Sequence, residues 1–432
     1  MRRLTPYEIL LSIAVPRPNG SEACERTADF IADRMVELTP GVTVQEFFLR
    51  PYMPAMVGLF MLVAAVACVL LVLRRRPWIA LLIALLIPAV YLLEFEVNVP
   101  VVSRIAGRTG TNIIADFLPG GPIEEYITFS AHFDSKTELL DHQQRKPVHN
   151  FAPVAMVCLI VASVLGIVAG ARERRSFRGR HPRLSASRSS RSRLYSPRAR
   201  HSGADARAVI RARRIAVLLG IVGVAGLFML TFVFAGGLFM PIEKQSPGAR
   251  DDGSAVALLL SMADKLARGS AASGGPALEH TAVRLVFFGG EEVNMQGSTA
   301  YASSEIAKAG GFNKGIVVNC ELLGGDEPYA YWESSGTFLS KFPSSEKAIE
   351  LYQSALSSLG LAPAVAAGSI FDDSGPMLAA GFQAVTVGNS DPERPDSYHN
   401  AGDGVGNVRP ERLNEFERVL FAMASALDGR GR

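Results

Sequence analysis

A strand pattern is followed directly by two acidic residues in the stretch Val283-Arg284-Leu285-Val286-Phe287-Phe288-Gly289-Gly290-Glu291-Glu292. Its first six residues are almost wholly apolar and are closed by two glycines, which is typical of a buried strand. Two consecutive glutamates follow that strand directly. Because ligand sites of α/β sheets lie beyond the carboxyl ends of the strands, we expect the glutamates to lie where chemistry takes place.

Short runs of the same kind recur along the chain, and helical patterns separate the later ones. The other predicted strands are Val42 to Phe48, Asn112 to Phe117, Tyr126 to Ala131, Gly315 to Cys320 and Ala384 to Val387. The predicted helices are Ser21 to Val36, Asp252 to Leu266, Ser298 to Lys308, Ser345 to Leu359 and Pro410 to Leu427. Strands that alternate with helices predict an α/β fold, with a mixed, mostly parallel sheet flanked by helices.

Histidines and acids follow the other predicted strands or enter the loops at their ends. His132 and Asp134 follow Tyr126 to Ala131, Glu321 directly follows the strand that ends at Cys320, and His399 comes after the last strand. Each residue alone has an ordinary structural explanation, such as a helix cap or a solvated surface charge. Occurring in order at several strand or loop ends, they indicate a site for a borderline divalent cation such as zinc, which neutral imidazole and carboxylate suit.

Four long apolar runs lie outside this pattern and are long enough, or nearly so, to cross a membrane. They are Pro54 to Leu73, Trp78 to Leu93, Val154 to Gly170 and Ile215 to Met240. The alternative is a set of buried core helices. It has most weight for Trp78 to Leu93, which contains Pro88 and is followed by Glu94. We predict two transmembrane hairpins inserted into the α/β domain.

The formal net charge of +3 hides a strong asymmetry along the chain. The segment Arg172 to Arg214 has 15 arginines and two acidic residues, so it carries +13. A short basic connector, Arg74 to Arg76, joins the first pair of runs. Since cytoplasmic loops near spans carry the Lys/Arg excess, both connectors are predicted to be cytoplasmic. The long connector has too few apolar residues for a core and is predicted to be disordered. A topology signal is a better account of it than RNA binding, and no nucleic acid partner is expected.

The predicted organisation therefore has three segments that form one domain and two that form membrane hairpins. The segments are 1–53, 94–153 and 241–432 for the α/β domain, 54–93 for the first hairpin, and 154–240 for the second, with its disordered loop at 171–214. Asp251 stands where a Gly-containing turn enters a helix, and we assign it to the same candidate cation site as His132. Because the second pair of apolar runs lies between these two residues, both runs cross or neither does. The same parity applies to the first pair.

The polar motifs together resemble family 28 of the metallopeptidases, the co-catalytic zinc aminopeptidases. The motifs are His132-Phe133-Asp134, Gly248-Ala249-Arg250-Asp251-Asp252-Gly253-Ser254, Glu291-Glu292, Asn319-Cys320-Glu321 and Tyr398-His399. The resemblance covers most of the polar sequence and none of the apolar runs. It implies two zinc ions: His132 and Glu321 hold one, Glu292 and His399 hold the other, and Asp251 bridges them.

The same resemblance implies roles for three further residues. Glu291 would be the general base, Asp134 would lie behind the ligand His132, and Tyr398 would help to polarise the substrate carbonyl. Two departures stand out: Arg250 occupies a position where the family often has Asn, and Glu321 one where it often has Asp. The longer Glu321 side chain could change the metal preference or shift the site toward related binuclear families.

These observations predict a membrane-bound, zinc-dependent exopeptidase, with aminopeptidase action as the leading activity and peptides as substrates. Alternatives are a family 20 metallopeptidase, a glutaminyl cyclase-like acyltransferase and a non-catalytic membrane receptor or scaffold. Family 20 usually has a lid domain before its last histidine, whereas His399 comes only 78 positions after Glu321 here. The presence of His132 argues for two metals and so against the cyclase, and retention of every ligand argues against the scaffold.

The predicted location is the cell membrane, with the catalytic domain outside and the Arg-rich loop in the cytoplasm. Met240 and Asp251 are 11 residues apart, so at roughly 3.4 Å per residue the bridging ligand lies within about 37 Å of the bilayer. Cys24 and Cys320 could both lie outside the cell, and the sequence leaves their pairing open.

Overall fold

The computed structural model describes residues 4–178, 198–272, 277–366, 368–389 and 397–429. The chain divides into two compact units. The first contains residues 1–53, 94–143 and 236–432, and the second contains residues 54–93 and 144–235. The first unit carries every residue of the predicted site.

An eight-stranded sheet forms the centre of the first unit, with the strand order β1-β2-β4-β3-β5-β10-β6-β9. Its strands are β1 (Gly41–Leu49), β2 (Arg108–Phe117), β3 (Glu125–His132), β4 (Thr281–Phe288), β5 (Ile316–Glu321), β6 (Tyr329–Trp332), β9 (Ala364–Ala366) and β10 (Gln383–Asn389). Strands β4, β3, β5 and β10 run parallel to one another in the central block, whereas β1, β2 and β6 join by antiparallel pairing. A separate hairpin pairs β7 (Ser334–Gly336) with β8 (Lys341–Pro343).

Helices cover both faces of the sheet, as the alternation of the strand residues requires. On β4, Val283, Leu285 and Phe287 enter one apolar core, and Val286 and Phe288 enter the other. Successive strand residues point to opposite faces, so a central strand that is apolar throughout must be covered on both. The first core is shared with α1 (Pro6–Ile13), α2 (Glu22–Leu38), α7 (Ser254–Ala272), α10 (Glu346–Ser358) and α12 (Pro410–Asp428). The second is shared with α8 (Gln296–Ala302), α9 (Glu305–Lys308) and α11 (Ser374–Ala379).

This architecture confirms the predicted α/β fold with a mixed, mostly parallel sheet flanked by helices. The α2 helix begins as its sequence indicates, because the Ser21 side chain caps it by accepting a hydrogen bond from the Cys24 backbone N–H. Its apolar positions Ala28, Ile31 and Met35 are buried. The sequence pattern did not predict α1, α11 or the short strands β6 to β9.

The second unit consists of four long helices with apolar surfaces. They are α3 (Met53–Leu73), α4 (Pro77–Tyr91), α5 (His142–Arg178) and α6 (Arg198–Gly236). Each is long and apolar enough to cross a membrane. The weakest predicted run is included, because α4 continues through a π-helical turn, Leu92–Glu96, and the candidate span extends to Glu96.

Helical structure extends beyond the second pair of apolar runs on both sides of the Arg-rich connector. Helix α5 begins at His142, before the predicted boundary at 153, and continues to Arg178, while α6 begins at Arg198. Parts of the segment 171–214 that we predicted to be disordered are therefore helical. Helix growth is cooperative, and Arg and Ala favour it, so a helix nucleated in an apolar run can continue into a basic flank. Residues 179–197 of the connector lie outside the described residues.

The chain entering the first hairpin and the chain leaving it are joined within the first unit. Arg50 and Glu94 are both buried and form an ion pair of 3.1 Å. Glu94 also accepts hydrogen bonds from the backbone N–H groups of Val101, Val102 and Ser103. These contacts hold together the two chain segments that flank the first hairpin, which is inserted between the adjacent strands β1 and β2.

Candidate metal centre

The predicted site residues converge at the carboxyl ends of the parallel strands. His132 is the last residue of β3, and Glu321 is the last residue of the neighbouring strand β5. Glu291 and Glu292 follow β4, on the other side of β3. Parallel strands bring their carboxyl ends to one edge of the sheet, and this geometry assembles residues that are far apart in sequence.

Asp251 lies at the centre of the cluster, and each of its carboxylate oxygens faces a different histidine. Its Oδ1 is 3.1 Å from His132 Nε2, and its Oδ2 is 3.0 Å from His399 Nε2. On the first side, Glu321 Oε2 lies 3.8 Å from His132 Nε2. On the second, Glu292 Oε2 lies 3.1 Å from His399 Nε2. The arrangement forms two groups of potential ligands that share Asp251.

Both groups have the donor atoms and the spacing that a metal ion requires. Within each group, the potential ligand atoms lie within 4.8 Å of one another, and all the residues are buried. Among the described residues, one oxygen of Asp251 and one of Glu292 are buried without a hydrogen-bond partner. Since a buried polar atom without a partner is costly, these oxygens fit a role as ligands. The imidazole and carboxylate donors match the preferences of zinc.

Each histidine ring is oriented through its Nδ1 atom, the His132 ring by Asp134 and the His399 ring by Glu138. His132 Nδ1 lies 3.2 Å from the Asp134 carbonyl oxygen and 3.6 Å from its Oδ1. His399 Nδ1 lies 2.9 Å from Glu138 Oε2, and the Glu138 backbone N–H donates to the His399 carbonyl at 2.8 Å. Acceptors in this position fix the ring and would direct Nε2 toward a metal ion when one is bound. The sequence predicted Asp134 as a site residue but not Glu138. The one signal for Glu138 is that it follows His132 in the same loop.

Asp134 also fixes the loop that carries the two glutamates. Its oxygens accept hydrogen bonds from the backbone N–H groups of Glu291 at 3.3 Å and Glu292 at 3.0 Å, and from Asn19 at 2.6 Å. Burial alone would raise the pKa of Asp134, but the hydrogen bond and charge of His132 outweigh it, so the pKa lies below its ordinary value. Asp134 is therefore held as an anion that links β3 to the glutamate loop.

Two buried residues that the sequence pattern did not single out hold the segment before Asp251. Asp403 accepts hydrogen bonds from the backbone N–H groups of Arg250 at 2.9 Å and Asp251 at 3.2 Å. Arg17 donates to the carbonyls of Phe133, Pro247 and Gly248. Gly248 has a φ of +60°, and a Cβ there would lie 2.6 Å from the Ser135 Cβ, so this close approach requires glycine.

The two departures from the family pattern have clear structural surroundings. Arg250 is buried and pairs with Glu327 at 3.0 Å, and it also donates to the carbonyl of Leu322 at 3.2 Å. Leu322 directly follows Glu321, so Arg250 connects the Asp251 segment to the Glu321 segment. The Glu321 side chain accepts a hydrogen bond from Asn319 Nδ2 at 3.3 Å.

Glu291 lies beside the ligand groups without belonging to either. Its Oε2 is 4.0 Å from His132 Nε2, and its side chain keeps 12% of its surface exposed. Burial, followed by the charges of Glu292 and Asp373, raises the pKa of Glu291 well above its ordinary value, although His132 opposes the shift. Burial and the charge of Asp252 likewise raise the pKa of Glu321. The site thus concentrates negative charge that cations would stabilise.

Tyr398 adjoins the second ligand group. Its ring stacks on the His399 ring, with centroids 3.7 Å apart and an angle of 23° between the planes. The structure thus places Tyr398 beside the second group of potential ligands, and its role in polarising a substrate carbonyl stays a prediction.

Part of the chain matches a known protein family. Residues 237–424 match the model of peptidase family M28. The matched segment contains Asp251, both glutamates after β4, Glu321 and His399, whereas His132 lies before it. Its first residues overlap the end of the fourth candidate span, and the rest of both hairpins lies outside the match. A search of curated proteins finds no match.

Solved structures with a similar fold include an aminopeptidase precursor and a glutaminyl cyclase. A leucine aminopeptidase precursor from Bacteroides thetaiotaomicron aligns with a TM-score of 0.50 and 10% identity, covering 97% of this chain and 95% of that chain. A glutaminyl cyclase from the same organism aligns with a TM-score of 0.50 and 11% identity, covering 97% and 96%. LapB from Legionella pneumophila aligns with a TM-score of 0.50 and 10% identity, covering 98% and 71%. This chain has the zinc aminopeptidase-like fold.

Proposed function

We propose that this protein is a membrane-bound, zinc-dependent exopeptidase, with aminopeptidase action as its leading activity. The single observation that supports this most strongly is the position of Asp251. Its two oxygens lie 3.1 Å and 3.0 Å from two different histidines, each of which has its own second carboxylate. This is the donor set of a binuclear centre, with His132 and Glu321 for one zinc ion, Glu292 and His399 for the other, and Asp251 shared.

The chemistry follows from the residues around that centre. When bound, zinc polarises a substrate carbonyl and lowers the pKa of water toward about 7. Glu291 takes a proton from the attacking water as the new bond to the carbonyl carbon forms. The same carboxyl then gives that proton to the amine nitrogen as the C–N bond breaks. Glu292 belongs to the second ligand group, where its Oε2 lies 3.1 Å from His399 Nε2. The base is therefore Glu291, which belongs to neither group.

The surplus of carboxylates favours a substrate with a free α-amine. Besides the proposed ligands, the cluster contains three further carboxyl side chains, and Asp373 lies within electrostatic range of both Glu291 and Asp252. A protonated amine placed among them is attracted by their charge. This supports removal of residues from the amino terminus of a peptide rather than cleavage at internal bonds.

Glutaminyl cyclase action on the same fold is the second candidate, because a glutaminyl cyclase aligns as well as an aminopeptidase does. The pair of ligand groups favours the hydrolase, and retention of all the proposed ligands argues against a non-catalytic receptor or scaffold. The discriminating experiment measures bound metal in the purified chain and compares free and amino-blocked peptides, including one with amino-terminal glutamine.

Two zinc ions per chain and release of an amino-terminal residue only from free peptides are expected. One metal, with conversion of the glutamine peptide into a pyroglutamyl product, would establish the cyclase instead. Removal of metal by a chelator should abolish activity, and added zinc should restore it. A chain that binds no metal and turns over neither peptide class would leave the scaffold as the function.

The membrane location is supported by the four candidate spans and the charge of their connectors. Each pair of spans crosses the membrane twice and so returns the chain to the side on which it started. The sheet requires this, because strands before and after each pair belong to it. The Arg-rich loop lies in the cytoplasm, and the catalytic unit lies outside the cell, next to the outer surface of the bilayer. The substrates are peptides or protein tails that reach this surface.

A further inference from the structure

An exposed apolar pair lies at the tip of the β7–β8 hairpin, where turns usually carry polar residues. Phe338 is 66% exposed and Leu339 is 62% exposed. The turn around them is ordered, since the Thr337 backbone N–H donates to the Ser340 carbonyl at 2.8 Å and Thr337 Oγ1 accepts from the Ser340 N–H at 3.2 Å. An ordered turn that exposes two adjacent large apolar side chains is a candidate contact surface.

The tip is attached to the chain at the end of the second candidate span. Glu96 Oε2 accepts hydrogen bonds from Thr337 Oγ1 at 2.5 Å and from the Leu339 backbone N–H at 3.0 Å. Glu96 is the last residue of the candidate span Pro77–Glu96. Any residue bound to Glu96 therefore lies within a hydrogen bond of the point where the chain leaves the apolar span.

The residues of the tip suit the boundary between water and lipid. Phe338 and Leu339 are followed by Ser340 and Lys341, and Lys341 is also exposed. Aromatic and aliphatic side chains enter the acyl boundary of a bilayer, while a neighbouring Lys keeps its charge at the anionic headgroups. From Phe338 to Lys341, the order of apolar, apolar, polar and basic residues follows the change from lipid to water.

We propose that the Phe338–Leu339 tip inserts into the outer leaflet of the lipid bilayer as a membrane contact separate from the four spans. This inference rests on the membrane location proposed above. The same hairpin is anchored within the first unit, because Ser335 donates to Asp372 Oδ1 at 2.7 Å.

The test uses spin labels on the full chain in phospholipid nanodiscs, with collision rates for oxygen and for a water-soluble nickel chelate. Cys158, which is partly buried, is first replaced by alanine, and the other three native cysteines are buried. Labels are then placed by Phe338→Cys and, in a second protein, by Leu339→Cys. Both sites are exposed, so substitution removes no core contact.

Two matched positions calibrate the measurement. Leu82, which is 69% exposed on α4, reports whether the spans are in lipid. Leu118, also 69% exposed, lies between β2 and β3, at the end of the sheet opposite His132, and is expected to report water. For labels at 338 and 339, the ratio of the oxygen collision rate to the chelate collision rate should resemble the ratio at 82. It should exceed the ratio at 118 by several-fold.

Each result then has a definite meaning. Lipid-like values at 82 with water-like values at both 338 and 339 would overturn the insertion of the tip and leave the membrane location intact. Such a result would point to a protein partner or a second copy as the cover of the pair. Water-like values at 82 as well would overturn the membrane location itself, and the inference with it.

Discussion

At the scale of single residues, two consecutive glutamates have different surroundings and therefore suit different tasks in the proposed mechanism. Glu292 lies 3.1 Å from His399, whereas Glu291 lies 4.0 Å from His132 and stays partly exposed. One carboxylate cannot be both a committed ligand and a base that is free to exchange a proton. The pair separates the two tasks within one turn after β4.

We predict that Glu291→Gln lowers kcat by about 10²-fold to 10⁴-fold, the range that a general base supplies. Because Glu291 belongs to neither ligand group, the variant should still bind both metals. Metal content and peptide turnover are measured on the same preparation. Glu305→Gln, on an exposed side chain of α9, is the matched control and should behave as the unchanged protein. Undiminished turnover by the Glu291→Gln variant would exclude Glu291 as the base.

A second residue-scale prediction concerns Glu138, which contacts His399 Nδ1 at 2.9 Å. Replacement by alanine removes the carboxylate that orients the ring, so metal affinity should fall by about 10-fold to 100-fold. The effect should appear in the zinc concentration needed for half-maximal metal loading. Glu124→Ala, an exposed acid before β3, should not change that concentration. Unchanged affinity in the Glu138 variant would mean that the ring is held by its other contacts.

At the scale of elements, the base of the first hairpin is connected to the loop that follows β4. The Gln296 side chain accepts from the Arg50 backbone N–H at 2.8 Å and donates to the Val293 carbonyl at 2.6 Å. Its own backbone N–H donates to the Gly290 carbonyl at 2.9 Å. The position of Glu291 and Glu292 thus depends in part on the place where the hairpin joins the domain.

Glu94→Gln tests this connection, because it leaves the buried Arg50 charge without its anion. Loss of one partner of a buried pair costs about 3–5 kcal/mol, so the midpoint of thermal unfolding should fall. We expect kcat to fall as well, since Arg50 contacts the same Gln296 that holds the glutamate loop. Glu243→Gln, an exposed acid after α6, is the control. Lower stability with unchanged kcat would separate the hairpin from the catalytic loop.

The elements that sequence predicts well are those whose signal is local. Strands such as β4 and β3 are largely apolar, and the proposed ligands at their ends are adjacent to the strand in sequence. Arg17 and Asp403 carry no such signal, because each acts only through backbone groups that folding brings to it. The short strands β6 to β9 are equally invisible, since three or four residues show too little periodicity and their pairing depends on the rest of the fold.

At the scale of the whole molecule, the orientation across the membrane can be tested with cysteines and a maleimide that cannot cross membranes. The Cys158→Ala background is used again. Leu118→Cys should react in intact cells if the first unit lies outside, as we propose. Arg211→Cys, exposed on α6 in the Arg-rich segment, should react only after the cells are permeabilised. The opposite pattern would place the catalytic unit in the cytoplasm and contradict the charge rule for this chain.

The strand order has a consequence for how the protein is made. β4 lies between β2 and β3, yet it is synthesised after both of them and after all four candidate spans. During translation, β2 and β3 therefore emerge before the strand that pairs with both of them. Their edges toward β4 stay unpaired until the basic loop and the two helices after β3 have been synthesised. Contacts between such distant parts of a chain form slowly. The newly made chain, rather than the mature protein, is thus the form that most needs protection from aggregation and proteolysis.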